Sequence, residues 1–352
     1  MAIRVLIVDD SATARTVLKD VLSKDSEIEV IGTAPDAYVA RDKIIQLKPD
    51  VVCLDVEMPR MDGISFLRKL MKHFPVPVLM VSSLTQDGAQ VTLDALEAGA
   101  IDYVAKPHSY IYDGIDDIEK ELITKVKMVA SSNLSARILA RKERSATMPS
   151  TQNTTSYALA ETTNKLLAIG ASTGGTVALA ELISKFPKNM PGTIIVQHMP
   201  GGFTKSFAER LNSISEVEVK EAEDGDIIGR GMVLIAPGDL HAVVRRDGGN
   251  YRVKLGTGKK VSGHRPSVDV MFNSVAMHVG KNAVGVILTG MGSDGAKGML
   301  AMKQQGAINI AQDEKSCVVW GMPKVAYEVG ATDYVEPLEK IVEKIVKLLN
   351  AK

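Results

Sequence analysis

Five short apolar runs punctuate the first 107 residues: RVLIVDD, IEVIGTA, DVVCLD, VPVLMV and IDYVAKP, each followed by an amphipathic stretch. Runs that are apolar at nearly every position, rather than at alternate ones, belong to strands buried on both faces, while the intervening periodicity is helical. Ser11, Asp36, Asp62 and Asp87 stand where those helices open and are good N-caps. Such alternation has one common solution, a parallel sheet with helices on both sides. The fold class expected is α/β, and the sheet doubly wound.

The pattern resumes at Lys165 with KLLAIG, TIIVQH, AVGVILTG and AINIAQ, and with helices expected from Thr176, near Phe203, from Ala296 and from Pro337. Three runs interrupt it. MVLIA, HAVVRR and YRVKL are separated by Pro237-Gly238-Asp239 and Asp247-Gly248-Gly249-Asn250, turn chemistry for antiparallel hairpins. A second doubly wound domain, Rossmann-like with an antiparallel hairpin insertion, is therefore expected over 165–352, after a first domain over 1–130. The segment 131–164 between them, which includes SATMPSTQNTTSYALAETTN, has too few large apolar residues for a core and reads as a linker. With 352 residues, 45% of them hydrophobic, the chain can fill two cores.

Lys and Arg number 42 and Asp and Glu 42, so electrostatic capture of nucleic acid or of an anionic membrane is not expected. Cys53 and Cys317 lie far apart in apolar surroundings, the pattern of buried thiols in a reducing compartment. Asp9 and Asp10 arrive too early for a signal-peptide core, and no apolar run approaches the roughly 20 residues that span a bilayer. The expectation is a cytoplasmic protein without membrane insertion.

In an open parallel sheet the binding crevice lies outside the carboxyl ends of the strands. Asp9, Asp10, Asp55, Ser82 and Lys106 all fall at strand ends of the first domain. Taken singly, an Asp after a strand is also a helix cap; gathered, three carboxylates repel one another unless a hard cation such as Mg²⁺ joins them. An ammonium and a hydroxyl beside them suit a phosphoryl group transferring onto a carboxylate. Residues 1 to about 125 resemble a response-regulator receiver domain, through Asp9-Asp10, Asp55 within DVEMPRMDG, Ser82 in LMVSS, and Tyr103 and Lys106 in DYVAKP. The resemblance implies a flavodoxin-like domain in which a histidine kinase phosphorylates Asp55, and Asp9, Asp10 and Asp55 hold Mg²⁺. It also implies that Ser82, Lys106 and Tyr103 respond to the phosphate. Ser82 stands where many receivers carry Thr; His108 replaces an aromatic and is given no role.

Gly170-Ala171-Ser172-Thr173-Gly174 satisfies the G-x-S-x-G pattern between a strand and a helix, a turn that holds a nucleophilic serine at its apex. A serine hydroxyl is a poor nucleophile until a base takes its proton, so a histidine and an orienting carboxylate are required nearby. His198, after TIIVQ, and Asp294, in TGMGSDG after AVGVIL, both stand just beyond strand runs. Gly290-x-Gly292-x-x-Gly295, with Asp313 beyond it, equally matches a dinucleotide fingerprint, and Gly170 to Gly175 would then be a second phosphate loop. That alternative leaves His198 without a part.

Residues from about 165 to 350 resemble the catalytic domain of the CheB family, the chemotaxis protein-glutamate methylesterases, in IGASTGG, VQHMPGGFT, APGDLHAVV, SGHRPSVDVMF and ILTGMGSDGAKGM. The resemblance implies hydrolysis of glutamate γ-methyl esters, and deamidation of particular glutamines, on the cytoplasmic regions of methyl-accepting chemoreceptors. It implies Ser172 as nucleophile, His198 as base, Asp294 as its partner, oxyanion support from backbone near Thr173 and Met291, and no cofactor in this half. The kinase implied is the chemotaxis histidine kinase.

Arg265 and Asp269 admit two readings, positioning a receptor helix or forming an internal ion pair. His241 and His264 read as structural, and His278 lies near a helix end. A receiver joined to a helix-turn-helix DNA-binding domain does not fit a second half that is α/β with glycine loops. Two modules on one chain suggest that the receiver covers the esterase crevice and releases it when Asp55 is phosphorylated. On that expectation a fragment from about residue 160 onward releases methanol from methylated receptor faster than the unphosphorylated full chain. Equal or slower release contradicts it.

Overall fold

The computed structural model describes residues 2–82, 86–106, 115–132 and 165–350, which fall into two compact units divided near residue 135. Nearly all of the expected linker lies outside the described residues. The first unit alternates β1 (Ile3–Val8), α1 (Ala12–Leu22), β2 (Ile28–Ala34), α2 (Ala37–Leu47), β3 (Val51–Asp55), α3 (Gly63–His73), β4 (Val78–Ser82), α4 (Gln86–Ala98), β5 (Asp102–Ala105) and α5 (Ile115–Ser131). Its strands lie in the order β2-β1-β3-β4-β5, all neighbours parallel. Leu6, Val52, Leu54, Leu79 and Met80 have no solvent exposure, as two-sided burial requires. Three expected caps form: Ser11 accepts from Ala14 N–H, Asp36 from Tyr38 and Val39 N–H, and Asp62 from Ser65 N–H. Chain order reverses between β1 and β3, which places a crevice at their carboxyl ends.

In the second unit the strands are β6 (Leu166–Ala171), β7 (Gly192–Gln197), β8 (Glu218–Glu221), β9 (Met232–Ile235), β10 (His241–Asp247), β11 (Asn250–Gly256), β12 (Ala283–Ile287), β13 (Ile308–Gln312) and β14 (Tyr334–Glu336). The helices are α6 (Gly175–Ile183), α7 (Phe203–Ser213), α8 (Val268–His278), α9 (Ala296–Gln304), α10 (Met322–Glu328) and α11 (Leu338–Asn350). Seven strands form one parallel sheet in the order β14-β13-β12-β6-β7-β9-β8. The reversal point is β6, flanked by β7 on one side and β12 on the other.

The hairpin insertion is smaller than the turn residues suggest. β10 and β11 pair antiparallel through Asp247-Gly248-Gly249-Asn250, but MVLIA becomes β9, parallel to β7 and β8 inside the main sheet. Val233, Leu234 and Ile235 are fully buried, as an interior strand demands, so Pro237-Gly238-Asp239 leads the chain out of the sheet instead of closing a hairpin. The two edge strands, β8 (EVKE) and β14 (YVE), are short and half-exposed, and no apolar run announces them.

Cys53 and Cys317 are buried free thiols, and burial pushes the Cys53 thiol up to about 12. No helix among the described residues is long and apolar enough to cross a membrane. The core of the second unit joins α8 to α9 and to the inner face of the hairpin, through Met271, Phe272 and Val275 with Met299, Met302, Val244 and Val253. Gly298 permits this approach, since a Cβ there would lie 2.7 Å from Phe272 Cβ and 2.8 Å from the Asp269 carbonyl oxygen. In an exposed helix Gly→Ala gains about 1 kcal/mol. Gly298→Ala is expected to cost about 1–3 kcal/mol through overpacking, seen as a lower calorimetric Tm of this unit, and a raised Tm would contradict it.

Candidate active site

Ser172 leaves β6 at the reversal point, and Gly174, at φ +76°, turns the chain sharply into α6. The turn is bonded on every side. Ser172 N–H donates to Thr289 O at 3.0 Å, Gly175 N–H to Ser172 O at 2.7 Å, and Gln197 Nε2 to Ser172 O at 2.9 Å. Thr289 Oγ1 donates to Thr173 O at 2.9 Å and accepts from Val318 and Val319 N–H, while Gln312 Oε1 receives Thr289 N–H. Gln197, Thr289 and Gln312 are all buried, and none was singled out from sequence; polar residues at the ends of apolar strands were their only signal.

His198 follows β7, its N–H bonded to Ala171 O, and Asp294 follows β12. The sheet thus brings the three expected residues to one edge. His198 Nε2 lies 2.8 Å from Asp294 Oδ2, with both side chains nearly inaccessible to solvent. Asp294 Oδ2 also accepts from Val268 N–H at 2.7 Å, and Oδ1 accepts from Ser267 Oγ at 2.8 Å and Asp269 N–H at 3.0 Å. Burial alone would raise this carboxyl, but the His198 hydrogen bond and the α8 donors outweigh it and hold Asp294 below the usual carboxylate range. An ionised carboxylate accepts only, so the ring proton of neutral His198 sits on Nε2. Nδ1, buried and without a hydrogen-bond partner, is left as the basic nitrogen. The imidazole plane of His264 stacks on that of His198, with centroids 3.7 Å apart and 10° between planes.

Thr173 is buried and Met291 exposed, and the Gly290 backbone that precedes Met291 lies against Ser172. A Cβ at Gly290 would stand 2.7 Å from Ser172 Cβ and 2.4 Å from Met322 Sδ, and one at Gly295 would stand 2.7 Å from Val268 Cγ1. These two glycines thus admit neighbouring protein atoms, and Asp313, the acid of the dinucleotide pattern, receives Ser316 N–H and Oγ–H. Arg265 and Asp269 do not pair. Arg265 Nη1 donates to the carbonyls of Gly258 and Thr257, while buried Asp269 caps α9 through Gly298 N–H at 2.7 Å and is closed to a receptor. His241 is structural, with Nδ1 receiving Ser267 N–H and Nε2 donating to Lys259 O. His278 ends α8.

In the first unit Asp9, Asp10 and Asp55 offer carboxylate oxygens within 4.8 Å of one another, the first and last buried and Asp10 exposed. Lys106 Nζ lies 2.9 Å from Asp9 Oδ2 and 2.8 Å from Asp55 Oδ2. Burial pushes the Asp55 carboxyl up to about 6 against the pull of Lys106. Burial also works against the Lys106 ammonium, but its two carboxylate partners outweigh that and raise its pKa. Ser82 ends β4 and accepts from Thr92 Oγ1 at 3.0 Å; Tyr103 is buried on β5, its carbonyl receiving Lys125 Nζ at 2.6 Å. Pro107 and His108 lie outside the described residues.

Residues 167–345 match the family model described as CheB methylesterase, and residues 5–111 match that of the response regulator receiver domain. The chain belongs to the CheB methylesterase family. A Sulfurimonas denitrificans protein called protein-glutamate methylesterase/protein-glutamine glutaminase is 80% identical over 350 residues, 99% of each chain. A protein of the same name from Salmonella typhimurium is 51% identical over 349 residues, 99% of this chain and 97% of that one. The crystal structure of the Thermotoga maritima CheB methylesterase catalytic domain is 46% identical, covers 53% of this chain and 100% of that chain, and superposes with a TM-score of 0.52. As a CheB-family hydrolase with a receiver domain, the chain bears out the enzyme class and the α/β architecture that the motifs implied, in place of a dinucleotide module.

Proposed function

We propose that this CheB-family enzyme hydrolyses glutamate γ-methyl esters, and deamidates glutamines, on the cytoplasmic regions of methyl-accepting chemoreceptors, and that phosphorylation by the chemotaxis kinase activates it. The cytoplasm is its place of work in this reading. The observation that carries the chemistry is His198, whose Nε2 is engaged by Asp294 and whose Nδ1 is buried and unpartnered at the edge shared with Ser172. Nδ1 takes the Ser172 proton as Oγ attacks the ester or amide carbonyl, and the imidazolium shares its Nε2–H with ionised Asp294. Collapse of the tetrahedral adduct breaks the carbonyl bond to oxygen or nitrogen, and Nδ1–H protonates the departing methoxide or amide to methanol or ammonia. Water, deprotonated by the same nitrogen, then adds to the acyl-serine; the carbonyl bond to Oγ breaks, Nδ1–H returns its proton to Ser172 Oγ, and the γ-carboxylate is released. Backbone N–H groups at Thr173 and Met291 stabilise the oxyanion, each contributing about 3 kcal/mol.

Ser172→Ala is expected to abolish methanol release from methylated receptor. Asp294→Asn replaces an acceptor with an amide that can donate to Nε2, favours the wrong tautomer and should lower kcat by about 10⁴. Wild-type rates in either folded variant would sink this reading.

The oxygen cluster of Asp9, Asp10 and Asp55 fits a hard divalent cation, because three carboxylates converge and one ammonium, Lys106, is the only cation paired with two of them, Asp9 and Asp55, among the described residues. Mg²⁺ held there would neutralise charge on a phosphoryl group arriving at Asp55. Lys106 and Ser82 supply an ammonium and a hydroxyl to the same group, and Tyr103 responds from β5. Below about 6 the Asp55 carboxyl is protonated, and Mg²⁺ must displace that proton. Apparent Mg²⁺ affinity should therefore fall by up to about tenfold per pH unit below that value. Titration calorimetry one unit above and one unit below it, on wild type and Asp55→Asn, checks this; a pH-independent affinity in the wild type would contradict it.

A further inference from the structure

One side-chain amide reaches the main chain of both Ser172 and His198. Gln197, the last residue of β7, is 3% exposed, and its Nε2 donates to Ser172 O at 2.9 Å and to His198 O at 3.1 Å. These two acceptors fix the orientation of the amide, since a flipped group would press Oε1 against both carbonyls. Oε1 is buried without a hydrogen-bond partner and lies over the bare face of Gly175, where a Cβ would stand 2.1 Å from it. An unpaired buried acceptor is a cost that an apolar side chain of the same length would not carry, so stability is a poor reason for a glutamine here. We propose that Gln197 is a positioning residue for the chemical step, which aims Thr173 N–H at the developing oxyanion by holding the Ser172 carbonyl. The proposal rests on the reading of that N–H as an oxyanion donor.

A trans peptide unit is planar, and its C=O and N–H point in opposite directions. Whatever grips Ser172 O therefore sets the direction of Thr173 N–H. The groups on either side are held already, since Ser172 N–H donates to Thr289 O at 3.0 Å and Thr173 O accepts from Thr289 Oγ1 at 2.9 Å. Those bonds leave one motion, rotation of the peptide unit between them, which would exchange the places of Ser172 O and Thr173 N–H. Gly175 N–H also donates to Ser172 O, at 2.7 Å, but it belongs to the same turn and moves with it. Gln197 holds the carbonyl from β7, outside the turn, and its second bond, to His198 O, keeps the amide from swinging away. Donors fixed in advance stabilise an oxyanion because nothing must reorient as charge develops. A donor that wavers loses this advantage in the transition state without weakening the docking of substrate.

The test is steady-state methanol release from a methylated chemoreceptor fragment by the phosphodonor-activated full chain. Gln197→Met keeps the length of the side chain without its donors and is expected to lower kcat about tenfold, with KM within about twofold of wild type. Gln197→Leu should behave alike and keeps the test open where Met fails to fold. A third variant carries an ester in place of the Ser172–Thr173 amide, made by incorporating the α-hydroxy analogue of threonine, and lacks only the N–H; loss of one oxyanion donor should lower kcat by about 10²–10³. With that N–H gone Gln197 has nothing to aim, so adding Gln197→Met to the ester variant should lower kcat by no more than about twofold further. An unchanged kcat in the folded Met or Leu variant overturns the proposal, as does a loss confined to KM or a full tenfold loss repeated in the ester background. The ester variant separates the two readings: a wild-type rate there defeats the oxyanion role of Thr173 N–H itself, whereas a slow ester variant beside a fully active Gln197→Leu defeats only the positioning role.

Discussion

The esterase unit is organised around one buried anion. Removing the Asp294 carboxylate from water costs several kcal/mol unless donors replace the solvent, and here the donors are the first two amides of α8, the Ser267 hydroxyl and His198. A helix N-terminus is a natural seat for negative charge, so the carboxylate bonded to His198 also caps α8. The cap is reciprocal. Asp269, in the first turn of α8, receives Gly298 N–H in the first turn of α9, whose N-cap, Gly295, follows Asp294. Burial, with Asp294 close by, raises Asp269, while Asp294 lies low because His198 and the α8 donors answer its charge.

This arrangement explains the glycines better than any ligand does. A Cβ at Gly170 would lie 2.3 Å from Val268 Cγ1, and one at Gly295 would lie 2.7 Å from the same atom. Both glycines make room for the first residue of α8, whose amide reaches Asp294. Gly290 does the same for Ser172, and Gly175 for Gln197. A motif that suits a phosphate cradle is here the imprint of one helix end packed against two strand ends. The acidic crevice of the receiver solves a similar problem in another way, with a lysine at the end of β5 answering two buried aspartates.

Much of this was legible in the chain because two-sided burial writes itself as continuous apolar runs, and because N-cap chemistry marks where helices begin. Ser172, His198, Asp294, Asp9, Asp55 and Lys106 could be placed at strand ends by counting, since a parallel sheet puts all such ends on one side. Other features carried no such signature. β8 and β14 are edge strands of mixed composition, and the pairing of β9 is hidden because an apolar run beside a Pro-Gly turn does not say whether its partner is parallel. Gln197, Thr289 and Gln312 act through backbone atoms far along the chain, and His264 meets His198 across a stacking contact. Contacts of that kind exist only after the sheet order is known.

The order of Ser172, His198 and Asp294 along the chain follows from that sheet order. β6 lies at the reversal point with β7 on one side and β12 on the other, so Ser172 after β6 has His198 after β7 and Asp294 after β12 as neighbours at the same edge. The chain between β7 and β12 must leave the sheet and return, and that excursion contains β10, β11 and α8. It delivers the N-terminus that stabilises Asp294 and the turn that lays His264 on His198. Were His198 and Asp294 to follow strands joined by one crossover, there would be no such excursion, and the carboxylate would need another set of donors. Ser172, His198 and Asp294 are thus placed by the sheet, while the donors around Asp294 and the ring stacked on His198 come from the excursion.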